Sequence, residues 1–376
     1  MRKVLILCDN FSMGGIQRLA LDQAFKLSEI GINTTLLILG PKPQFGTPSF
    51  FHTEKRMIKT LSVNFLFFEG SRKSQLNQLY QNLSKNNYEI LICHSLRAVV
   101  LARICKVFLK SVPVIVTIIH QLLSMSSPVQ RVKRLAYSQF ADILFAYSLA
   151  VKKDWDYRRK RNPFIRLITI KKQIQLCRNG VYLPRLKLNT SIHLDSSSKN
   201  KRFVFVSRLT AWKGLDTVLE LMSIPKYKNV KLLLVTPYNP TLFLRNINSD
   251  IRKRIVSVSG KSVSRIRFRP GDVHIYPSKY GRNSKFVESI SLNVLEMCCV
   301  GVRSLISENG SETWPELTKI GMLYEVDWKQ KKQVVKALNM ATVVSSKAKI
   351  RKCRSLIDIS HNLDNIFEAC QITWEK

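Results

Sequence analysis

Glu288 and Glu296 stand eight positions apart in the segment FVESISLNVLEMCCVG at 286–301. Glu288 falls in a loop, and Glu296 falls inside the helix-like run after it. The neighbours of Glu296 are mostly apolar, so that helix is largely buried, and an acid on it requires polar partners. An ionised carboxylate accepts two or more hydrogen bonds, which suits sugar or ribose hydroxyls. A structural ion pair with Arg or Lys is the alternative. The amides around Ser291, Leu292 and Asn293 form the helix N-terminus, where the dipole favours phosphate.

Two cations occupy a comparable place earlier in the chain. In SRLTAWKG (207–214), Arg208 and Lys213 follow the apolar run KRFVFVS. Arg offers a bidentate grip on a diphosphate and Lys a point charge. In so basic a chain they are otherwise solvated surface charges. Gly14 and Gly15, in FSMGGIQR at 11–18, lie between a strand end and a helix start. Lacking side chains, they let backbone amides approach an anion, or they simply make a turn. Finally, two apolar runs end in histidine, at His94 and His120. A lone strand-end histidine is usually structural; two on one edge make a cleft role as fitting as a structural one.

These residues need elements to position them. KVLILC (3–8), TTLLILG (34–40), YEILICH (88–94), VPVIVTIIH (112–120) and ADILFAYS (141–148) read as strands, separated by helical patterns at 16–29, 74–85 and 97–109. Such alternation predicts a parallel sheet with helices on both faces. After a polar stretch containing SSSKNK (196–201), the pattern restarts with strands at 201–207, 230–236, 272–278 and 303–307 and helices at 214–222 and 291–300. The expectation is an α/β protein with two Rossmann-like domains facing a cleft, with ligands beyond the strands' C-terminal ends. The domains are placed at 1–185 and 203–355, joined by a linker at 186–202. A C-terminal helix at about 356–376 is expected to pack back on the first domain.

The 376 residues are 45% hydrophobic, enough for real cores. No apolar run reaches the roughly 18–20 residues that span a bilayer. The run Val4–Cys8 is too short for a signal peptide and ends at Asp9-Asn10, so a cytoplasmic location is expected. Eight cysteines lack any C-x-x-C spacing and sit mostly in apolar runs, as reduced buried thiols do; no metal site is expected. Lys and Arg total 61 against 25 Asp and Glu, a formal charge of +36, which calls for an anionic partner.

Taken in order, these segments resemble the retaining GT-B glycosyltransferases of group 1, or glycosyltransferase family 4. MGGIQR looks like the family's N-terminal G-G-x-E-R loop, and YEILICHS and VIVTIIH like its histidine-ended strands. CRNGVYLPR (177–185) resembles its N-G-V segment and FVFVSRLTAWKGLDTVLE (203–220) its R-L-x-x-x-K-G segment. DVHIYPS with ESISLNVLEMCCVG resembles its P-S and E-x7-E block. The resemblance implies that Arg208 and Lys213 hold the donor diphosphate, Glu296 the ribose, and Glu288 the transferred hexose. Gly14 and Gly15 lie near the phosphates, His120 lines the donor-sugar pocket, and His94 is assigned to the acceptor side. Departures are Gln17 for the loop Glu, Ser291 for Gly, Met297 for Ala, Arg303 for Pro, and Gly310-Ser311 for a second Gly. The Ser291 change narrows the space beside the donor sugar.

The resemblance thus implies a hexosyltransferase that retains configuration and needs no metal or other cofactor. Its donor is a nucleotide-diphosphate sugar, UDP-sugar favoured. Arg208, Lys213 and the amides at 291–293 are aimed at the charge growing on the leaving diphosphate, which supplies several kcal/mol of barrier lowering. The stretch ENGSETWPEL suits a lipopolysaccharide or O-antigen branch. Asp154-Trp155-Asp156 is read as surface rather than as a D-x-D metal motif. KVFLK (106–110), RVKRLAYSQF (131–140) and RRKRNPFIRL (158–167) interleave basic and apolar residues, as for peripheral attachment to an anionic inner leaflet carrying a lipid-linked or glycan acceptor. No nucleic acid partner is expected: no nucleic-acid-binding signature appears, and a carboxylate pair repels a phosphate backbone. A catalytically degenerate GT-B scaffold is the other alternative. Glu296→Ala is expected to abolish donor use and leave the fold intact.

Overall fold

A computed structural model describes residues 2–44, 49–109, 111–161, 172–187, 201–260, 263, 266–278, 290–308 and 310–372. The chain divides into two compact units, residues 1–182 with 359–376, and residues 183–358.

The first unit is built on seven parallel strands: β1 Lys3–Cys8, β2 Asn33–Ile38, β3 Asn64–Phe67, β4 Ile90–Cys93, β5 Val114–Ile119, β6 Ile143–Ala146 and β7 Ile174–Leu176. Their order across the sheet is β3-β2-β1-β4-β5-β6-β7. Val4 through Cys8 are all buried, as are Ile90 through Cys93. Continuous apolar strands of this kind are those of a parallel sheet covered on both faces. Order reverses between β1 and β4, which makes a topological switch point where the flanking loops part and leave a crevice.

The second unit repeats the arrangement with six strands: β8 Arg202–Val206, β9 Lys231–Thr236, β10 Ile255–Ser259, β11 Val273–Tyr276, β12 Arg303–Ser307 and β13 Leu323–Val326. The order is β10-β9-β8-β11-β12-β13, with its switch point between β8 and β11. Phe203, Phe205, Val218, Leu232, Leu234, Val273, Ile275 and Leu305 fill the core. The α/β class and the parallel sheets are as the alternation predicts.

Four strands were not legible in the sequence. β3, β7, β10 and β13 are short outer strands, and the β3 run is only partly buried while β10 is largely exposed. An edge strand with half its surface in water carries little periodic signal. Of the expected linker, residues 188–200 lie outside the described residues. Its ends are regular structure instead: Leu186 is buried in a short helix, Leu183–Lys187, and Arg202 opens β8.

The reading of Asp154-Trp155-Asp156 as surface is corrected. Asp154 and Trp155 are buried on the inner face of the helix Leu149–Arg161. Trp155 donates from Nε1 to the Gln121 carbonyl at 2.8 Å, and Asp154 accepts from the Ser124 amide at 2.9 Å. Arg158 Nε caps the same carboxylate at 3.0 Å. The nine basic residues of 152–172 mask, in composition, a helix whose opposite face is core.

Candidate functional site

The second unit gathers most of the expected donor-binding residues at one sheet edge. β8 and β11 are neighbours and parallel, so their C-terminal ends lie side by side. The segment after β8 carries Arg208, whose side chain is exposed and has no protein partner among the described residues. It then tightens into the 3-10 turn Ala211–Lys213. Gly214 ends the turn at φ 75°, and a Cβ there would sit 2.4 Å from the Pro277 carbonyl oxygen. Only glycine meets both demands. The turn swings Lys213 inward, where it is buried with its ammonium 3.9 Å from the Trp212 ring centroid and bonded to the Tyr276 hydroxyl. Tyr276 is the last residue of β11, so Lys213 is fixed against that strand's end.

The helix Leu292–Cys299 starts at the same edge. Asn293 Nδ2 donates to the Val206 carbonyl at 2.9 Å, which ties its first turn to the end of β8. Ser291 is the N-cap, but its side chain caps nothing. The Ser291 carbonyl accepts the amides of Val294 and Leu295 at 3.0 and 3.3 Å. The amides of Leu292 and Asn293 are the orphan donors every helix start carries. Ser291 Oγ is buried and has no hydrogen-bond partner among the described residues. A buried hydroxyl of this kind is normally bonded, so a ligand atom would satisfy it.

Glu296 lies one turn further along the helix, buried, with Oε1 2.6 Å from Nη2 of Arg185. Both side chains are almost inaccessible. Arg185 belongs to the short helix Leu183–Lys187 and was missed from the sequence. Its only signal there is its place directly after NGVYLP, in a chain rich in arginine. Glu288 lies outside the described residues.

Departures from the family pattern have local partners. Gln17 donates to Asn10 Oδ1 at 2.8 Å within the Gly14-Gly15 loop. Arg303 is buried and bonds Ser345 Oγ, the Tyr324 hydroxyl and the Met340 carbonyl at 2.9–3.2 Å, so it is structural. Met297 is fully buried in the core.

In the first unit, Gly14, Gly15, His94 and His120 follow the adjacent parallel strands β1, β4 and β5 at their C-terminal ends, around the switch point. Gly14 caps the helix Gly15–Glu29 with an extended backbone, and a Cβ on Gly15 would meet nothing within 4 Å. The helix start is therefore open at Gly15, as an anion site would need, while at Gly14 the Gln17 side chain lies close, 2.5 Å from where a Cβ would be. Ser95 Oγ donates to Asp9 Oδ1 at 2.7 Å and pins the β4 loop to the β1 loop. His94 and His120 stack with ring centroids 5.3 Å apart, and Nδ1 of His94 lies 3.1 Å from Nε2 of His120. Burial, and then the neighbouring His120, push the His94 pKa well below the usual histidine value. Burial alone lowers that of His120 to about 3. Both rings are neutral at physiological pH.

No protein-family model matches the chain, and no curated protein matches it. Solved structures do. HepE of Anabaena, solved in complex with UDP-glucose, superposes with a TM-score of 0.65 at 13% identity, over 99% of this chain and 100% of that one. The lipopolysaccharide outer core galactosyltransferase WaaB, in its apo form, gives 0.62 at 14% identity over 98% and 99%. An alpha-glucosyltransferase in complex with UDP and a 13-mer DNA gives 0.65 at 12% over 99% of both chains. At these identities it is the fold that is shared: two parallel α/β sheets, the GT-B architecture of glycosyltransferases.

Proposed function

We propose that this chain is a glycosyltransferase that moves a hexose from a nucleotide-diphosphate sugar, UDP-linked, to a lipid-linked or glycan acceptor. The observation that carries the reading is the edge formed by β8, β11 and the helix Leu292–Cys299. There an exposed Arg208, a Lys213 held by Tyr276, orphan helix amides and the unpartnered Ser291 hydroxyl sit together. Cations and oriented amides gathered at one point are what a leaving diphosphate requires.

In this reading Arg208 and Lys213 neutralise the diphosphate as the glycosidic bond breaks, so the chemistry calls for no metal. The amides of Leu292 and Asn293 and the Ser291 hydroxyl bind phosphate oxygens. Glu296, oriented by Arg185, accepts from the ribose hydroxyls. The family resemblance further assigns Glu288 and His120 to the hexose and Gly14 and Gly15 to the phosphates. Transfer proceeds with retention. WaaB's lipopolysaccharide substrate supports a place in bacterial surface polysaccharide synthesis, on the cytoplasmic face of the membrane.

A panel of nucleotide sugars in a thermal-shift assay tests the donor. A rise in Tm with a UDP-sugar, lost in Arg208→Ala, is the expected result. No rise with any nucleotide sugar would leave a non-catalytic scaffold. The charge of +36 and the DNA-bound neighbour favour a second reading, a nucleic-acid acceptor. It is tested by a salt-dependent gel shift at physiological ionic strength.

A further inference from the structure

His94 and His120 are the last two members of a hydrogen-bond chain that crosses the first unit. The chain begins at a backbone carbonyl, which can only accept. Asn362, on the helix Ile359–Ala369, donates from Nδ2 to the Arg178 carbonyl at 2.8 Å and to Cys177 Sγ at 3.0 Å. The Cys177 thiol donates in turn to the Asn362 carbonyl at 3.4 Å. Asn362 therefore turns Oδ1 toward Gln23, whose Nε2 lies 2.6 Å away. Gln23 must then present Oε1 to His94, 2.8 Å from Nε2.

An amide oxygen cannot donate, so His94 carries its proton on Nε2. A neutral imidazole has one N–H, which leaves Nδ1 of His94 as a lone pair. It faces Nε2 of His120 at 3.1 Å, so His120 must supply the proton in that contact. Nδ1 of His120 is then a lone pair too, with no protein partner among the described residues. Reversing the chain would set the Asn362 amide oxygen against the Arg178 carbonyl, acceptor against acceptor. Gln23, His94 and Asn362 are buried, so water cannot readily mend such a mismatch.

We propose that Gln23 and Asn362 are positioning residues that lock His120 in the Nε2–H tautomer, so that its Nδ1 accepts a hydrogen bond from a substrate hydroxyl. The hydroxyl is assigned to the sugar class, and that half of the inference rests on the sugar-transfer reading above. An imidazolium would be wrong here, because it can only donate. A hydroxyl that gives its hydrogen to His120 gains electron density on oxygen and is held in one orientation. The relay thus converts a fixed backbone carbonyl, four groups away, into a directional acceptor at the edge where β4 and β5 end.

Nitrogen-15 NMR of the full-length protein reads the tautomers directly. In the ligand-free protein both His94 and His120 should show a pyrrole-type Nε2 and a pyridine-type Nδ1, unchanged from pH 8 to pH 5.5. A His120 protonated on Nδ1, or charged in that range, overturns the relay without any variant being made. Gln23→Met should give His120 a mixture of tautomers and lower turnover about 100-fold through misorientation. Gln23→Glu should restore the single tautomer, because a protonated glutamic acid both donates to Asn362 and accepts from His94. Titration with UDP-glucose, UDP-galactose and UDP-N-acetylglucosamine then tests the ligand. Binding by any of them should shift the His120 Nδ1 resonance. Binding that leaves it unmoved overturns the hydroxyl contact while the transfer reading survives. Binding by none of them overturns the contact together with that reading, and the ligand-free tautomer still decides the relay.

Discussion

Arg185 Nη2 lies 2.6 Å from Glu296 Oε1, and both side chains are buried. This pair changes what a substitution at Glu296 reports. Removing one member of a buried ion pair costs roughly 3–5 kcal/mol, because the other charge loses its counter-charge away from water. Glu296→Ala is therefore expected to destabilise the second unit as well as lose donor use, which corrects the expectation of an intact fold. Glu296→Gln keeps the shape and one acceptor oxygen. It should unfold at higher denaturant than the alanine variant while still binding donor weakly. Equal midpoints for wild type and Glu296→Ala in urea would show that the pair contributes nothing.

Arg208 and Lys213 should separate binding from folding. Arg208 is exposed and has no hydrogen bond or ion pair among the described residues, so Arg208→Ala should leave the Tm unchanged. A charge-assisted hydrogen bond is worth about 1.5–3 kcal/mol, so donor affinity should fall about 10- to 100-fold. Lys213→Ala also removes the contact with Tyr276 and a buried stem, and should lower both Tm and affinity. Isothermal titration beside thermal unfolding distinguishes the two. Unaltered affinity in Arg208→Ala removes the diphosphate assignment.

Gly214→Ala tests the turn that carries Lys213. The backbone is left-handed at φ 75°, which costs a non-glycine residue about 1–2 kcal/mol. The added Cβ would also lie 2.4 Å from the Pro277 oxygen, so the turn must move. A loss of at least about 2 kcal/mol is expected, with donor binding weakened because Lys213 moves with the turn. A variant as stable as wild type would show that this loop is not fixed by Gly214.

How much of the fold and the site was legible in the sequence depends on how far apart the partners lie. Apolar runs such as KVLILC and VKLLLVT carry their own periodicity, so the central strands and both parallel sheets were readable. So were the places of Lys213 and Asn293 in the fold, because each sits at a fixed offset from a strand end or a helix start. The Arg185–Glu296 pair joins residues 111 positions apart. The Gln23–Asn362 bond joins residues 339 apart. Nothing in local spacing encodes such partners, since they are set by how helices dock. The same holds for Trp155, whose burial depends on a carbonyl at Gln121 and is hidden by the lysines and arginines around it.

Stability should fall as pH drops through the histidine range. His94, His120 and His274 have folded pKa values pushed below the unfolded value of about 6.5, in each case chiefly by burial. Below about pH 6.5 the unfolded chain binds protons that the folded one refuses, so stability is whole above that pH and declines toward about pH 3. Each residue contributes a loss of about 1 kcal/mol at pH 5.5. Urea unfolding at pH 7.5 and 5.5 measures the slope. His274→Phe should flatten it, since His274 is fully buried and its one hydrogen bond among the described residues is to Ser304 Oγ at 3.0 Å. A profile that is level between those pH values would mean that these histidines take up protons in the folded state.

The proposed membrane attachment makes the last prediction, and its candidate surface lies on the first unit. The helices Leu96–Val107 and Pro128–Ser138 pack against each other. Around them Val107, Phe108, Val112, Val129 and Val132 are exposed, between 46% and 72% accessible. Lys133 is exposed beside them, with Arg131 and Arg134 half-buried. Isolated exposed apolar residues need no explanation, but a cluster interleaved with basic groups fits an anionic lipid surface. Each basic residue near such a surface is worth about 1 kcal/mol, so Lys133→Glu with Val129→Asp should weaken partitioning at least about tenfold. Flotation with vesicles containing phosphatidylglycerol at low salt should carry the wild type upward and leave the double variant behind, with donor binding equal in both. If the wild type stays at the bottom of the gradient, the attachment proposal fails and the charge of this unit must serve another anionic partner.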